Sequence, residues 1–260
     1  MHTEENPFKT IKINQWRQTV TIKINRPEAN NAIDLTLINE ITKVFTQFEL
    51  DKDIKVVLFE GLPDFFCTGL EFKTIEVENF EISNKESQNK FYDLLKSIAF
   101  SSKVTIAKVK GKVNAGGIGI IASCDIVIAD HSATFGLSEA LFGLLPACVM
   151  PFLIRRVGYQ KAQWMALITQ GVSVDKALEI GLVDEIGTNL EENVRKNLLR
   201  LTKLETDTIK ELKEYMGELW IINEQTKELA VNKISSLLMR DTVRSKINSF
   251  VNEGKMPWNQ

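Results

Sequence analysis

Apolar and polar residues alternate over residues 8–14 and again over residues 19–25, around a short connection at 15–18. That pattern predicts a β-hairpin. A polar loop follows, Arg26-Pro27-Glu28-Ala29-Asn30-Asn31. Asp34 then stands where it can cap a helix, with Leu37, Ile38, Ile41, Val44, Phe45 and Phe48 at helical spacing behind it. Val56–Glu60 is a continuous apolar run, the pattern of a buried strand. Residues 73–90 are polar and irregular and predict a mobile loop. Helical periodicity returns at residues 91–100 and leads to an apolar strand at 104–110. A small-residue apolar run at 118–123 and a strand at 125–129 come next. Strands alternating with helices predict an α/β fold with right-handed crossovers.

Beyond residue 139 helices dominate the pattern. Short ones are expected at 148–157, 159–169 and 174–180. Residues 190–252 are amphipathic and rich in Lys and Glu, with Trp220, Ile221, Ile222, Leu229, Val231, Ile234, Leu237 and Leu238 on an apolar face. Such helices either cover the core or pack on another subunit. The expected division is a core over residues 1–190 and a helical region over 191–260.

The chain has 260 residues, enough for one large domain or a domain with an appendage, and is 44% hydrophobic. Its net charge of -2 gives no basic footprint for nucleic acid. No apolar run is long enough to span a bilayer. The opening residues, MHTEENPFKT, are polar and unlike a signal peptide, which makes the cytoplasm the expected compartment. Cys67, Cys124 and Cys148 lack CxxC or metal spacing, so buried reduced thiols are expected. The two histidines, His2 in a tail and His131 in a turn, argue against a nucleophilic triad or a histidine zinc site, and no metal is expected.

The chemistry concentrates in residues 111–139, GKVNAGGIGIIASCDIVIADHSATFGLSE. Glycines at a strand-to-helix junction let backbone N–H groups reach a ligand, and a helix N-terminus adds unpaired N–H groups and partial positive charge. That arrangement binds phosphate or holds an oxyanion. Upstream, in FFCTGLEF at residues 65–72, Gly69 can turn the chain and aim the N–H of Leu70 inward. Two such amides suit a two-donor oxyanion hole; the bland alternative is a pair of simple turns. Glu139 follows an apolar strand.

Five stretches in order, NRPEANNAI (25–33), FCTGLEF (66–72), GKVNAGGIGIIASCDIVIA (111–129), FGLSEALFGLLP (135–146) and ITQGVSVDKALEIGLVDEI (168–186), resemble the crotonase (enoyl-CoA hydratase/isomerase) superfamily. The resemblance covers nearly the whole chain. It implies a spiral of ββα units with C-terminal helices that trimerise, as a homotrimer or hexamer. It also implies a thioester substrate on the phosphopantetheine of CoA or an acyl carrier protein, with no other cofactor. The motifs place the oxyanion donors at Leu70 and Gly116 and a catalytic carboxylate at Glu139. They place Ala29, Glu71, Phe72, Lys73, Asn114 and Gly117 along the substrate site.

The departures matter as much. Hydratases of this superfamily usually carry a first glutamate three residues after the oxyanion glycine, and here that position is Gly119. Glu139 is the second, standing as an acid–base residue or as a structural carboxylate. The stretches NRPEANNAI, EGLPDFFCTG and LLPACVMPFLIRRVG resemble the dehydratases of polyketide β-branching cassettes. That likeness implies dehydration of 3-hydroxy-3-methylglutaryl carrier protein to the 3-methylglutaconyl form, with an acyl carrier protein as partner. Asn114 orients water or substrate, or is a turn residue. Lys73, Arg155 and Arg156 are candidates to bind a substrate carboxylate, or are surface charges. Cys148 lines an acyl pocket or is a buried helix cysteine. The competing functions are an enoyl-CoA isomerase, favoured by a lone Glu139, and a non-catalytic acyl-thioester-binding protein.

Overall fold

A computed structural model describes residues 7–72 and 80–259. The chain opens with β1 (Ile11–Trp16) and β2 (Thr19–Ile24), paired in register from Ile11 with Ile24 to Trp16 with Thr19. The hairpin turn is therefore Arg17-Gln18, with Arg17 at φ 53, and the strand extends past the expected end at 14. Gln15 and Trp16 stay in the ladder because this edge strand faces solvent along most of its length. The helix α1 (Leu35–Leu50) follows, its Asp34 cap accepting from the Leu37 N–H at 2.7 Å. Five of the six predicted apolar positions are buried: Leu37, Ile38, Ile41, Val44 and Phe45.

Three strand pairs then repeat one plan. β3 (Val56–Glu60) and β4 (Phe65–Cys67) lead to α2 (Phe80–Ala99). β5 (Val104–Val109) and β6 (Lys112–Asn114) lead to α3 (Gly116–Ser123). β7 (Ile126–Ala129) and β8 (Thr134–Gly136) lead to a 3-10 turn, Glu139–Phe142, and to α4 (Met150–Val157) and α5 (Tyr159–Ile168). Next come β9 (Val172–Ser173), α6 (Val174–Glu179) and β10 (Glu185–Ile186). The first strand of each pair joins one sheet, ordered β1-β2-β3-β5-β7-β10 and parallel from β2 onward. The second joins another, ordered β4-β6-β8-β9. Each ββα turn thus adds one strand to each sheet and winds a spiral. α7 (Leu190–Leu201), α8 (Thr206–Glu218), α9 (Glu224–Leu238) and α10 (Asp241–Glu253) complete the described chain.

Two features depart from the pattern read along the chain. The short strands β4 and β6 are not among the elements read from the pattern along the chain, and β8 is the short strand ahead of Glu139. The loop expected over 73–90 is helical from Phe80 onward, and residues 73–79 lie outside the described residues. Its polar stretch is helical because one face stays in water, where Lys90 pairs with Glu86 at 2.7 Å, while Gln88, Phe91, Leu94, Leu95 and Ile98 turn inward. On the C-terminal helices, Ile222, Val231, Ile234, Leu237 and Leu238 are buried, whereas Trp220, Ile221 and Leu229 are exposed. α9 packs along α2, and its buried face belongs to the same apolar core as the spiral.

The loop between β2 and α1 is a buried polar knot. Asn31 is fully buried with φ 55, a left-handed conformation that Asn tolerates better than most residues. Its Nδ2 donates to the carbonyls of Ile24 (3.2 Å), Phe65 (3.0 Å) and Phe66 (3.1 Å), and its Oδ1 accepts from the Arg26 N–H at 2.8 Å. The Arg26 guanidinium donates to the Ala32 carbonyl and pairs with Asp34 (2.9 Å) and Glu71 (2.8 Å). Replacing Asn31 by Ala removes the shared donor to the buried Ile24 and Phe66 carbonyls and the acceptor of the Arg26 N–H, while the Phe65 carbonyl keeps the Leu62 N–H at 3.0 Å. We expect a stability loss of about 2–4 kcal/mol, read as a lower urea midpoint at unchanged m-value. A loss below about 0.5 kcal/mol would show that the knot is dispensable.

Candidate active site

The site begins with a close approach of two backbone turns. Ile33 and Leu70 form a lone parallel bridge, in which the Ile33 N–H donates to the Gly69 carbonyl (2.7 Å) and the Glu71 N–H donates to the Ile33 carbonyl (2.9 Å). The groups flanking Leu70 are thereby used, and the N–H of Leu70 itself faces the other way. Gly69 sits at φ +92, and a Cβ on it would lie 2.6 Å from the Ala115 Cβ and 3.3 Å from the Gly116 nitrogen. Only glycine meets both demands. Across this contact Gly116 opens α3, following Ala115 at φ 50 and ψ -119. Neither the Leu70 nor the Gly116 N–H has a hydrogen-bond partner among the described residues. Both residues line the same cavity, of about 110 Å³.

Glu139 lies in that cavity wall, at the start of the 3-10 turn after β8. Its Oε2 is buried and has no hydrogen-bond partner. Burial pushes its pKa up to about 7, against the opposing pull of the backbone N–H groups of Glu139 and Ser138. Among the described lining residues Glu139 is the one carboxylate, and none is Lys or Arg. The rest of the wall is mainly apolar: Ile33, Ile38, Leu70, Phe72, Phe91, Leu144 and Val149 from the spiral, with Ile234 and Leu238 from α9. Phe72 packs on Phe142 (5.2 Å between ring centroids), and Phe142 on Phe250 of α10 (5.4 Å). The C-terminal helices therefore close one side of the cavity. A carboxyl poised near pH 7 beside two unspent N–H donors can exchange a proton with a carbon acidified by an adjacent carbonyl.

The expected site residues divide into three groups. Leu70, Phe72, Asn114, Gly116 and Glu139 share the cavity, and Asn114 Nδ2 donates to Ser138 Oγ at 2.9 Å. Ala29, Glu71 and Gly117 are not on its wall: Ala29 sits in the 3-10 turn Pro27–Ala29, Glu71 pairs with Arg26, and a Cβ on Gly117 would lie 2.5 Å from the Cys67 carbonyl oxygen. Lys73 lies outside the described residues.

The two arginines weighed as carboxylate binders serve elsewhere. Arg155 donates to the carbonyls of Ala122 (3.0 Å) and Ser123 (3.1 Å), and Arg156 to those of Cys124 (3.0 Å) and Leu182 (2.8 Å), besides pairing with Asp184. They satisfy the carbonyl end of α3, where cations are favoured. Cys148 does line the cavity, within 3.6 Å of Gln88 Oε1, and burial holds its thiol up at about 12, so it is no thiolate nucleophile. Ser87, Gln88 and Ser138 also line the cavity and were not foreseen. Gln88 was hidden inside a polar run, and Ser138 was read only as part of the motif that leads to Glu139.

Gly119, where a first glutamate would stand, is buried in α3 away from the cavity wall. A Cβ there would lie 3.0 Å from Leu95 Cδ1 and 3.1 Å from Val149 Cγ2. The position holds no room for a carboxylate without repacking both neighbours. Among the described residues no cluster of three His, Cys, Asp or Glu side chains could hold a metal, and no helix is long and apolar enough to cross a membrane.

Known proteins share this arrangement over almost the full length. The chain is 41% identical to the bacillaene synthase dehydratase PksH of Bacillus subtilis, over 96% of this chain and 97% of that protein. A crystal structure of the Bacillus subtilis polyketide biosynthesis enoyl-CoA hydratase pksH superposes with a TM-score of 0.88 at 39% identity, covering 96% of this chain and 100% of that one. The mevalonyl-coenzyme A hydratase sidH of Aspergillus fumigatus is 28% identical over 91% of this chain and 90% of its own. The enoyl-CoA hydratase/isomerase family model matches residues 16–260. With its spiral of ββα turns, paired glycine turns and buried glutamate, the chain belongs to the crotonase, or enoyl-CoA hydratase/isomerase, family.

Proposed function

We propose that this enzyme dehydrates a 3-hydroxyacyl thioester, namely 3-hydroxy-3-methylglutaryl carried by an acyl carrier protein, to its 3-methylglutaconyl form during polyketide β-branching. The observation that carries the reading is the buried, unpartnered Glu139 Oε2 in the same small cavity as the Leu70 and Gly116 amides. The likeness to the dehydratase PksH supports dehydration as the reaction class. In the mechanism the thioester oxygen lies between the two N–H groups. As Glu139 removes the α-proton, negative charge grows on that oxygen and the amides stabilise it; one such donor is worth roughly 3–4 kcal/mol. The enolate electrons then form the Cα–Cβ double bond while the Cβ–O bond breaks. Glu139, now protonated, returns its proton to the departing hydroxyl in a syn elimination and is a carboxylate again. The thioester arrives on its own phosphopantetheine arm, so the reading calls for no resident cofactor.

A second reading, an enoyl-thioester isomerase, is favoured by Glu139 being the one carboxylate among the described lining residues. It moves a proton between carbons and loses no water. Incubation with two substrates separates the two: the hydroxymethylglutaryl carrier protein, read by mass spectrometry, and an enoyl thioester, read by NMR. Loss of one water supports dehydration, a shifted double bond at constant mass supports isomerisation, and no turnover of either substrate leaves a binding protein. Glu139→Gln keeps size but cannot exchange a proton; turnover is expected to fall by roughly 10²–10⁴ with the fold retained. Full activity in that variant would overturn the mechanism.

The starting enzyme needs Glu139 ionised, so kcat/KM is expected to rise with pH through an apparent pKa near 7. Stability runs the other way. The folded-state pKa lies above the ordinary 4.5, so the native state binds the extra proton, and stability declines as pH rises from about 4.5 through about 7. Glu139→Gln removes that penalty. Its unfolding free energy from urea titration is expected to exceed that of the wild type more at pH 8 than at pH 5, by on the order of 2 kcal/mol. An unchanged difference would show that the carboxyl is not desolvated.

The apolar side chains left exposed on α7, α8 and α9, among them Leu199, Leu212, Met216 and Leu229, support a homotrimer or a dimer of trimers. Light scattering at micromolar concentration is expected to return three or six chain masses; a stable monomer would refute this.

A further inference from the structure

Dehydration makes two demands on opposite ends of one bond pair: a proton leaves Cα, and an oxygen leaves Cβ. Glu139 answers the first. The position that could carry a second carboxylate, Gly119, is walled off by Leu95 and Val149. The other polar side chains on the described cavity wall are neutral, Thr68, Ser87, Gln88, Asn114 and Ser138, and of these Asn114 and Ser138 are bonded to each other, with Ser138 next to Glu139 in the chain. Ser138 stands at the N-cap of the Glu139–Phe142 3-10 turn, a place where serine ordinarily caps with its side chain, yet its side chain makes no cap hydrogen bond. Its hydroxyl instead accepts from Asn114 Nδ2 at 2.9 Å.

The pair is built around this contact. Asn114 ends β6, whose register pairs it with Gly136 of β8, two residues before Ser138. A Cβ on Gly136 would lie 3.0 Å from Asn114 Oδ1, so the small residue makes space for the amide. With Asn114 occupying a lone pair, the Ser138 O–H is left to donate, and it is a better donor for the bond it accepts.

We propose that Ser138, oriented by Asn114, donates a hydrogen bond to the departing β-hydroxyl and holds the water that forms. This rests on the dehydration reading above and adds the leaving-group end to it. Ser138 keeps its proton throughout. The α-proton travels by way of Glu139 to the leaving oxygen, and Ser138 stabilises the charge on that oxygen while the Cβ–O bond breaks. Atoms balance as one 3-hydroxyacyl thioester giving one enoyl thioester and one water. Ser138 is in this role a catalytic residue, and Asn114 a positioning residue that acts through it.

The test compares a matched pair of pantetheine thioesters on the acyl skeleton that the wild type turns over, one with a 3-hydroxyl and one with a 3-chloro group. Chloride leaves without a hydrogen-bond donor, but both reactions need Glu139 and the oxyanion donors. Ser138→Ala is expected to slow loss of water by roughly tenfold to a hundredfold. Elimination of chloride should change by less than about threefold, the contrast expected when only leaving-group assistance is lost. Ser138→Thr, which keeps a hydroxyl, should recover most of the water loss. Glu139→Gln should depress both reactions, because each needs the base at Cα.

An equal fall on both substrates in folded Ser138→Ala, or undiminished dehydration, would overturn the assignment. If circular dichroism shows that Ser138→Ala does not fold, the same ratio is read in Asn114→Ala, where a smaller loss confined to the hydroxyl substrate is expected and an equal loss on both again overturns it. A wild type that expels chloride but never water would overturn the dehydration reading itself, independently of Ser138.

Discussion

One lone β-bridge decides where the chemistry can happen. Ile33 and Leu70 pair outside either sheet, and the pairing consumes the Gly69 carbonyl and the Glu71 N–H. In a parallel bridge the intervening residue must present its own N–H to the opposite side. That side is the cavity. Nothing about Leu70 as a side chain makes it a donor; the bridge does. The bridge is in turn held by the knot beneath it, because Asn31 fixes the loop to the carbonyls of Phe65 and Phe66, and Arg26 reaches Glu71. The polar loop NRPEANNAI is thus read best as the brace of an oxyanion turn. Glu71 belongs to that brace, which explains why a residue within a functional motif does not face the cavity.

The same cavity sets the state of Glu139. A carboxylate surrounded by Phe, Leu and Ile, with no cation among the described lining residues, loses hydration and gains no Coulombic partner. Desolvation therefore wins over the two backbone N–H groups that favour the charge. The cost of an ionised, unpartnered oxygen is what makes it a usable base near neutral pH. A lysine or arginine placed nearby would stabilise the fold and pull the pKa away from that range. Among the described lining residues, Ser87 and Gln88 are further neutral polar groups.

The long-range plan and several residues that gather at the cavity were legible in the sequence, for different reasons. Periodicity marked α1 and the strands β3, β5 and β7 because each is long enough to show a pattern and is buried on a consistent side. The second sheet was illegible from pattern alone. Its strands run only three residues in β4, β6 and β8 and two in β9, too short for alternation to register. The order of the motifs carried that part of the fold. Gly69, Gly116 and Glu139 stood out because glycine and a carboxylate in apolar company are chemically conspicuous. Arg155 and Arg156 misled for the same reason, since a charge in the sequence does not disclose that its partners are main-chain carbonyls. Ser138 and Gln88 are the converse: unremarkable types whose importance comes from the cavity they face.

The glycine at position 119 changes meaning in this light. A missing glutamate can be read as one deleted side chain in an otherwise unaltered site. Here neighbouring side chains fill the space: Leu95 of α2 and Val149 ahead of α4 both press on α3 at that point, within 3.0 and 3.1 Å of where a Cβ would be. Restoring a carboxylate there would displace two buried apolar side chains and bury a charge among them, costs that overpacking and desolvation each impose. The substitution is therefore tied to the packing of three helices, and a single reversal does not recreate a two-carboxylate site. In the proposed dehydration, acid–base work falls to Glu139, which shares its cavity with the Leu70 and Gly116 amides and the Asn114–Ser138 pair. On that proposal specificity follows from geometry: one carboxyl must reach both Cα and the leaving oxygen from the same face, which restricts the reaction to substrates that present the two in a syn arrangement.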